Sequence, residues 1–212
     1  MLLNRVTEIK DLGIYMDHKL KYDKHMISIV NKASKMLGFV IRNSQDFRDI
    51  NVIKYLFTSI VRPNLEYICE IWSPFYKKYI DMIEKIQKKF FKFLCYKSKT
   101  IIYTSNYTYL LKHFNILSLE NRRILNDCIL VYKILNSKIN CSNIVSMISY
   151  QVPKYNLRRN QLLNCQRVNN NVAKFATINR IINNFNKFCN NIDPFTSILT
   201  QKNFKNDVIS NI

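Results

Sequence analysis

A chain of 212 residues, 48% hydrophobic and 13% aromatic, can bury one good core or two small ones, which excludes a disordered chain. Two glycines and four prolines leave little material for tight turns, which argues for long helices and against a many-stranded sandwich or barrel. With 33 Lys and Arg against 14 Asp and Glu, the net charge of +19 points to a polyanionic partner, nucleic acid first and an anionic membrane surface second.

An AT-rich coding bias accounts for part of the lysine, asparagine and isoleucine content, but it does not suppress the acidic residues. The expected fold class is mainly α: a helical bundle with a short N-terminal β-strand or hairpin, then a second helical subdomain. Residues 1–23 read as one or two short strands, with Val6, Ile9, Leu12, Ile14 and Tyr15 around Gly13 and a turn at Asp17-His18. An opening strand needs a partner sheet, and the rest of the chain offers little, which suggests a fragment of something larger.

Asp23 is the expected cap of a helix running to about Asn43. Met26, Ile29, Val30, Ala33, Leu37, Val40 and Ile41 form its buried face, and Lys24, Lys32, Lys35 and Arg42 line the other side around Phe39. Phe39 is expected to pack under a neighbouring element; stacking on a base is the alternative. Asp49 caps a second helix through Val52, Ile53, Leu56, Phe57, Ile60 and Val61, which Pro63 breaks or kinks. A third helical piece from Leu65 to about Ile71 leads to Trp72, and Ser73-Pro74 has the form of an N-cap followed by an N1 proline.

The stretch from Tyr79 to Leu94 carries the most basic amphipathic pattern in the chain. At about 100° per residue, Ile80, Ile83, Ile86, Phe90, Phe91 and Leu94 share one face. Lys78, Lys85, Lys88, Lys89 and Lys92 fall within about 100° of the opposite face, with Asp81 the lone acid among them. One face enters a core; the other meets something negative. Residues 95–106 form a polar connector and the expected subdomain boundary.

Beyond it, Tyr107–Phe114 reads as a short helix, and Ser118 caps a longer one to about Asn136 with Glu120 in its first turn. The apolar residues of that helix, among them Leu125, Cys128, Val131 and Ile134, occupy most of the wheel, so it is expected at the centre of the second half. Arg123 and Asp127 stand four apart and can pair. Cys141–Ile148 reads as another short helix, and residues 149–171 as irregular or weakly extended, with Arg158, Arg159 and Arg167. A helical period resumes from Val172 to about Phe188, and Asp193-Pro194 has the form of a cap for a last helix. The expected division is 1–23, 24–96, 97–150 and 151–212.

The signals for catalysis are negative. No two aspartates adjoin to hold a metal pair, and two glycines cannot build the common phosphate-binding loops. His18, His25 and His113 have no nucleophile at a recognisable spacing, and surface or capping roles are expected for His18 and His25. Asn64, Glu66 and Tyr67 read as a buried hydrogen-bonding cluster beside Pro63. Cys69, Cys95, Cys128, Cys141, Cys165 and Cys189 form no CxxC, so reduced core thiols are expected, with no zinc site. No apolar run is long enough to span a membrane, and an intracellular protein of the nucleus or cytoplasm is expected.

Five segments resemble the region downstream of the catalytic palm in reverse transcriptases of non-LTR retrotransposons, jockey-like elements in particular. They are KDLGIYMDHKLKYDKHMISIVNKASKMLGFVIRNSQDF (10–47), LFTSIVRPNLEYICEIWSPFYKKYIDMIEKIQKKFFKFL (56–94), YLLKHFNILSLENRR (109–123), VYKILNSKIN (131–140) and PKYNLRRN (153–160). The specific pattern is LG with DxxLxxxxH, then VRPxLEYxxxIWSP, then IExIQKKF. The resemblance implies a helical thumb that grips a template–primer duplex. Leu12 and Gly13 would form a palm-edge strand, and His25 would open the first thumb helix. Arg62, Pro63, Glu66, Tyr67 and Trp72 would be a structural signature. The lysines of the basic face, together with Lys32, Lys35 and Arg42, would face nucleic acid.

The fingers, palm and acidic motif of that family have no counterpart in this sequence, so RNA-directed DNA polymerase activity is not expected of the isolated chain. Magnesium is expected only with the missing palm, and no cofactor in this chain. The expected partners are an RNA–DNA or DNA duplex or retroelement RNA, within a ribonucleoprotein, and the palm and fingers of the same element. The alternatives are a helical protein-interaction module or a decayed retroelement remnant, with peripheral binding to acidic lipids a third reading.

Overall fold

The structure is a computed structural model that describes residues 6–98, 106–150, 161–169, 171–189 and 201–212. The chain is mainly α, with a short N-terminal antiparallel hairpin followed by helices. It forms two compact units, one from Met1–Tyr67 and Pro74–Leu119, the other from Ile68–Ser73 and Glu120–Ile212. The division differs from the four segments read in the sequence, and the 95–106 connector falls inside the first unit. Residues on the far side of the connector pack back onto that unit: Phe114 stacks on Phe91 at 5.4 Å, and Gln87 Nε2 donates to the Leu117 carbonyl at 3.0 Å.

In the first unit, β1 (Glu8–Asp11) pairs with β2 (Ile14–Asp17) in the register Glu8↔Asp17 to Asp11↔Ile14. Leu12 and Gly13 are therefore the two-residue turn of a hairpin and not a strand. Their φ values of 44° and 86° are those of a mirror-image turn, whose twist matches the strands it joins. Tyr67 Oη donates to the Leu12 carbonyl at 3.3 Å, which ties the turn to the body of the unit. The turn expected at Asp17-His18 is present, with the Asp17 carboxylate accepting from the backbone N–H groups of Lys21 at 2.8 Å and Tyr22 at 3.0 Å.

Helix α1 (Asp23–Asn43) buries Met26, Ile29, Ala33, Leu37 and Val40, the expected stripe. Asp23 is its first residue and not its cap; that position belongs to Tyr22, held left-handed at φ 57° with no side-chain cap. Asp49 does cap α2 (Ile50–Leu56), accepting from Asn51 N at 2.8 Å. Val52, expected in the apolar face, is exposed.

Pro63 neither breaks nor ends the helix. A π-helical turn (Phe57–Val61) precedes α3 (Arg62–Glu66), and the Arg62 N–H reaches the Phe57 carbonyl. The wider turn relieves the clash between a proline ring and the carbonyl four residues back. Asn64 Nδ2 takes up the Ile60 carbonyl at 2.7 Å.

The expected run from Leu65 to Ile71 is interrupted at Tyr67 and Ile68, where Ile68 turns left-handed at φ 48° before α4 (Cys69–Trp72). Ser73 closes α4 instead of opening the next helix, its N–H bonding the Cys69 carbonyl at 2.9 Å. Helix α5 (Lys77–Ser98) then starts on the Tyr76 carbonyl, which accepts from Tyr79 and Ile80. Tyr79 meets Asp23 at one end of α1, and Lys97 Nζ donates to the Gln45 carbonyl just past its other end. Helices α1 and α5 thus run parallel. Phe57 and Phe90 stack face to face at 4.0 Å in the core beneath them. Helix α6 (Tyr107–Phe114) is capped by Asn106, which accepts from Tyr109 N at 3.2 Å.

The second unit is built around α7 (Leu119–Leu135). No residue of this helix from Asn121 onward is exposed, as its nearly all-round apolar wheel requires. Short α8 (Ser142–Val145) lies within the expected 141–148 stretch, and Tyr150 bridges Leu163 as a fragment of antiparallel pairing. The period expected to run unbroken through residues 172–188 is split into α9 (Asn171–Lys174) and α10 (Thr177–Phe188). Asn186 clamps Leu163 at both its N–H and its carbonyl, at 3.1 and 2.7 Å. In the last helix, α11 (Gln201–Asn211), Phe204 packs on Tyr132 at 4.5 Å. Arg158, Arg159, the Asp193-Pro194 cap and most of the 95–106 connector lie outside the described residues.

Candidate nucleic-acid interface

The amphipathic sequence of α5 sorts its side chains as its period requires. Ile83, Ile86, Phe90, Phe91 and Leu94 are buried, and Lys78, Lys85, Lys88, Lys89 and Lys92 are all exposed. Ile80, expected in the buried face, is only half-buried. Two of the lysines lie over rings: Lys78 over Tyr79 at 5.5 Å and Lys88 over Tyr107 at 5.0 Å. Lys85, Lys89 and Lys92 make no ion pair or ring contact among the described residues.

What sequence reasoning missed is a polar seam on the buried side of α5. Glu84 and Gln87 are both buried; Tyr107 Oη donates to Glu84, and Gln87 Nε2 donates to Tyr107 at 3.1 Å as well as to Leu117. Its only sequence signal is position: Gln87 falls within the arc of the apolar face and Glu84 at its edge, beside Phe91. The consequence is electrostatic. Glu84 is turned away from the lysines, so Asp81 alone offsets them on the exposed face.

Helix α1 repeats the pattern more weakly. Lys32, Lys35 and Arg42 are exposed on its outer side. Phe39 among them is 48% exposed rather than packed under a neighbour. The wheel assigned it to the outer face, and none of the described elements covers it.

The signature residues do not gather in one place. Gly13, His25, Pro63 and Tyr67 line one hollow of ≈ 440 Å³ in the first unit, together with Lys10, Tyr15, Lys32 and Asn64. Arg62 and Glu66 pair with each other across one helical turn at 3.7 Å. Trp72 is buried in the second unit. His25, for which a surface or capping role was expected, is 3% exposed inside α1, and burial pushes its imidazole pKa down. That favours a neutral ring at physiological pH. His18 remains at the exposed turn. Of the residues expected to cluster beside Pro63, Asn64 bonds the Ile60 carbonyl, Glu66 pairs with Arg62, and Tyr67 is 54% exposed rather than buried.

An uncharacterized protein of Caenorhabditis elegans is 31% identical over 134 residues, which are 62% of this chain and 65% of that protein. The chain thus spans less than two thirds of that relative's length. No family model matches the sequence, and no solved structure matches it.

Among the described residues no group of three or more His, Cys, Asp or Glu could hold a metal ion, and no helix is long and apolar enough to cross a membrane. The cysteines are free. Cys69, Cys95, Cys128 and Cys189 are buried and Cys141 and Cys165 partly so. A hydrogen bond with Cys189, added to burial, pushes the Cys128 thiol pKa up, which makes it a core residue and not a nucleophile.

Arg123 and Asp127, read as a possible pair in the sequence, differ in role. Asp127 takes Arg180 of α10 at 3.2 Å and Asn184 at 2.8 Å, while Arg123 acts on it through charge. Next to this group, Ile68, Ile71, Ile129, Ile178 and Ile182 line an apolar hollow of ≈ 610 Å³ that also meets Glu70 and Lys133.

Proposed function

We propose that the first unit is a thumb-like grip for nucleic acid of the reverse transcriptase kind. It holds an RNA–DNA or DNA duplex, or retroelement RNA, through phosphate contacts that carry no sequence information. The single observation that supports this reading is the stripe on α5: Lys85, Lys89 and Lys92 exposed on one face, with no acidic partner among the described residues taking them up. The resemblance across residues 10–160 adds the expectation of a duplex held beside a polymerase palm. On this reading phosphoryl transfer and its magnesium belong to a palm and fingers that partner this chain inside an intracellular ribonucleoprotein. The unit itself positions the nucleic acid and catalyses nothing.

The test is fluorescence anisotropy with a labelled RNA–DNA hybrid and with DNA duplexes of unrelated sequence. Affinity is expected to be alike across sequences and to fall steeply with salt. Binding that discriminates sequence, or that is flat with salt, would count against the reading.

A second reading has its own observation. The hairpin carries Val6, Ile9 and Leu12 at 59%, 56% and 76% exposure, and a two-stranded ribbon is marginal alone. A protein that adds to this hairpin would cover them. Self-association in sedimentation without nucleic-acid binding would favour that reading over the first.

A further inference from the structure

We infer that the shared C-terminal end of α1 and α5 is a stacking platform for unpaired bases, so that single-stranded nucleic acid is held there by rings as well as by charge. This rests on the nucleic-acid reading of α5 and specifies which form of the polymer one part of it takes. Tyr96 lies about five helical turns beyond Lys78, which returns it to the azimuth of Lys78, within the lysine stripe. It is 76% exposed, and it stands about 6 Å beyond Lys92 along the axis. The contact from Lys97 to the Gln45 carbonyl brings the end of α1 to the same place. There Phe39 and Phe47 are 48% and 42% exposed, and Arg42 stands on the same outer face of α1 as Phe39.

A duplex presents phosphates outward and hides its base faces, so it uses the lysines and leaves the rings idle. A single strand offers both. A cationic track ending in solvent-exposed aromatic rings is the combination by which unpaired strands are held without sequence preference, because every base has a π-face. No exposed acid other than Asp81 stands on the α5 stripe to repel the backbone between Lys78 and Tyr96.

The experiment uses the full chain with labelled oligothymidylate and a blunt DNA duplex of equal length. The variants are wild type, Tyr96→Ala, Tyr96→Phe, Phe47→Ala and the Lys85→Glu, Lys89→Glu, Lys92→Glu triple. Tyr96→Ala is expected to weaken oligothymidylate binding about fivefold or more. Duplex affinity and the salt slope should be unchanged, and Tyr96→Phe should retain most of the binding. Phe47→Ala, a separate exposed ring, should weaken the single strand in the same selective way.

If both alanine variants bind oligothymidylate as wild type does while the lysine triple fails, the stacking inference is overturned and the grip stands. The same holds if they weaken duplex and single strand equally. If wild type binds neither probe, the grip and the inference fall together. Tyr96 and Phe47 are exposed, so thermal melting of the variants should match wild type.

Discussion

Replacing Asp127 with Asn would remove the carboxylate that pairs with Arg180, and the structure sets the size of the effect. The Asp127 and Arg180 side chains are 1% and 11% exposed, so each ion is deprived of most of its water. Burial pushes the Asp127 carboxyl up, while Arg180, Asn184 and Arg123 pull it back without cancelling the shift. The carboxylate is tolerated because its neighbours are cations and donors; the guanidinium is tolerated for the converse reason. Asp127→Asn leaves Arg180 buried against the Glu70 carbonyl and a neutral amide, as protonation of Asp127 also would, so the cost reduces to the altered hydrogen bonds, about 1–3 kcal/mol. With a urea dependence of about 1–3 kcal/mol per M, the midpoint falls by about 1 M.

Arg180→Met alone should cost a similar amount, and Asp127→Asn with Arg180→Met together much less than the sum, since the double variant strands neither charge. The native pKa of Asp127 lies above its unfolded value. Between the two, the folded protein therefore binds more protons, and stability falls as pH rises through that window. Asp127→Asn should lose this component, and Glu70, raised by burial and further by the Asp127 charge, should keep a smaller one. Urea titrations of the four proteins, repeated across the acidic range, make the measurement. Single costs that simply add, or a pH slope unchanged in Asp127→Asn, would refute the reasoning.

Three further outcomes concern the first unit. Phe90→Ala empties a fully buried ring site stacked on Phe57 and should cost about 3–5 kcal/mol by urea unfolding. Leu12→Asn puts a residue suited to a mirror-image turn where leucine is held at φ 44°, and should raise stability by about 0.5–1 kcal/mol. Gly13→Ala should lower it by about 1–2 kcal/mol through backbone strain alone, because its new Cβ would stand 3.8 Å from Tyr67, an ordinary contact.

The elements legible in the sequence are those whose signals are local. The span of α1, the Asp49 cap, α6 and the central place of α7 come from period and capping chemistry, and the outward lysines of α5 come from its wheel. What escaped depends on tertiary context. Ile68 reverses the chain at φ 48° although a β-branched residue is a poor choice there, and neither glycine nor asparagine marks the break. Ser73-Pro74 has the form of a helix start, yet the serine N–H is already committed to closing α4. The burial of Glu84 and Gln87 depends on Tyr107 and Leu117, at sequence separations of 20 to 30 residues, which no wheel includes. The hollow that gathers Gly13, His25 and Tyr67 likewise joins residues from three separate stretches. Of the candidate site, the charge and the outward placement of Phe39 were readable from the wheels, but its exposure was not, since that depends on what fails to cover it.

The most direct test of the grip is the salt dependence of binding to an RNA–DNA hybrid, measured by anisotropy for wild type and for Lys85→Glu, Lys89→Glu, Lys92→Glu. Each lysine that meets a phosphate contributes about one to the slope of log affinity against log salt, so the variant should bind far more weakly with a slope lower by about three. An unchanged affinity and slope in the triple variant would contradict the account.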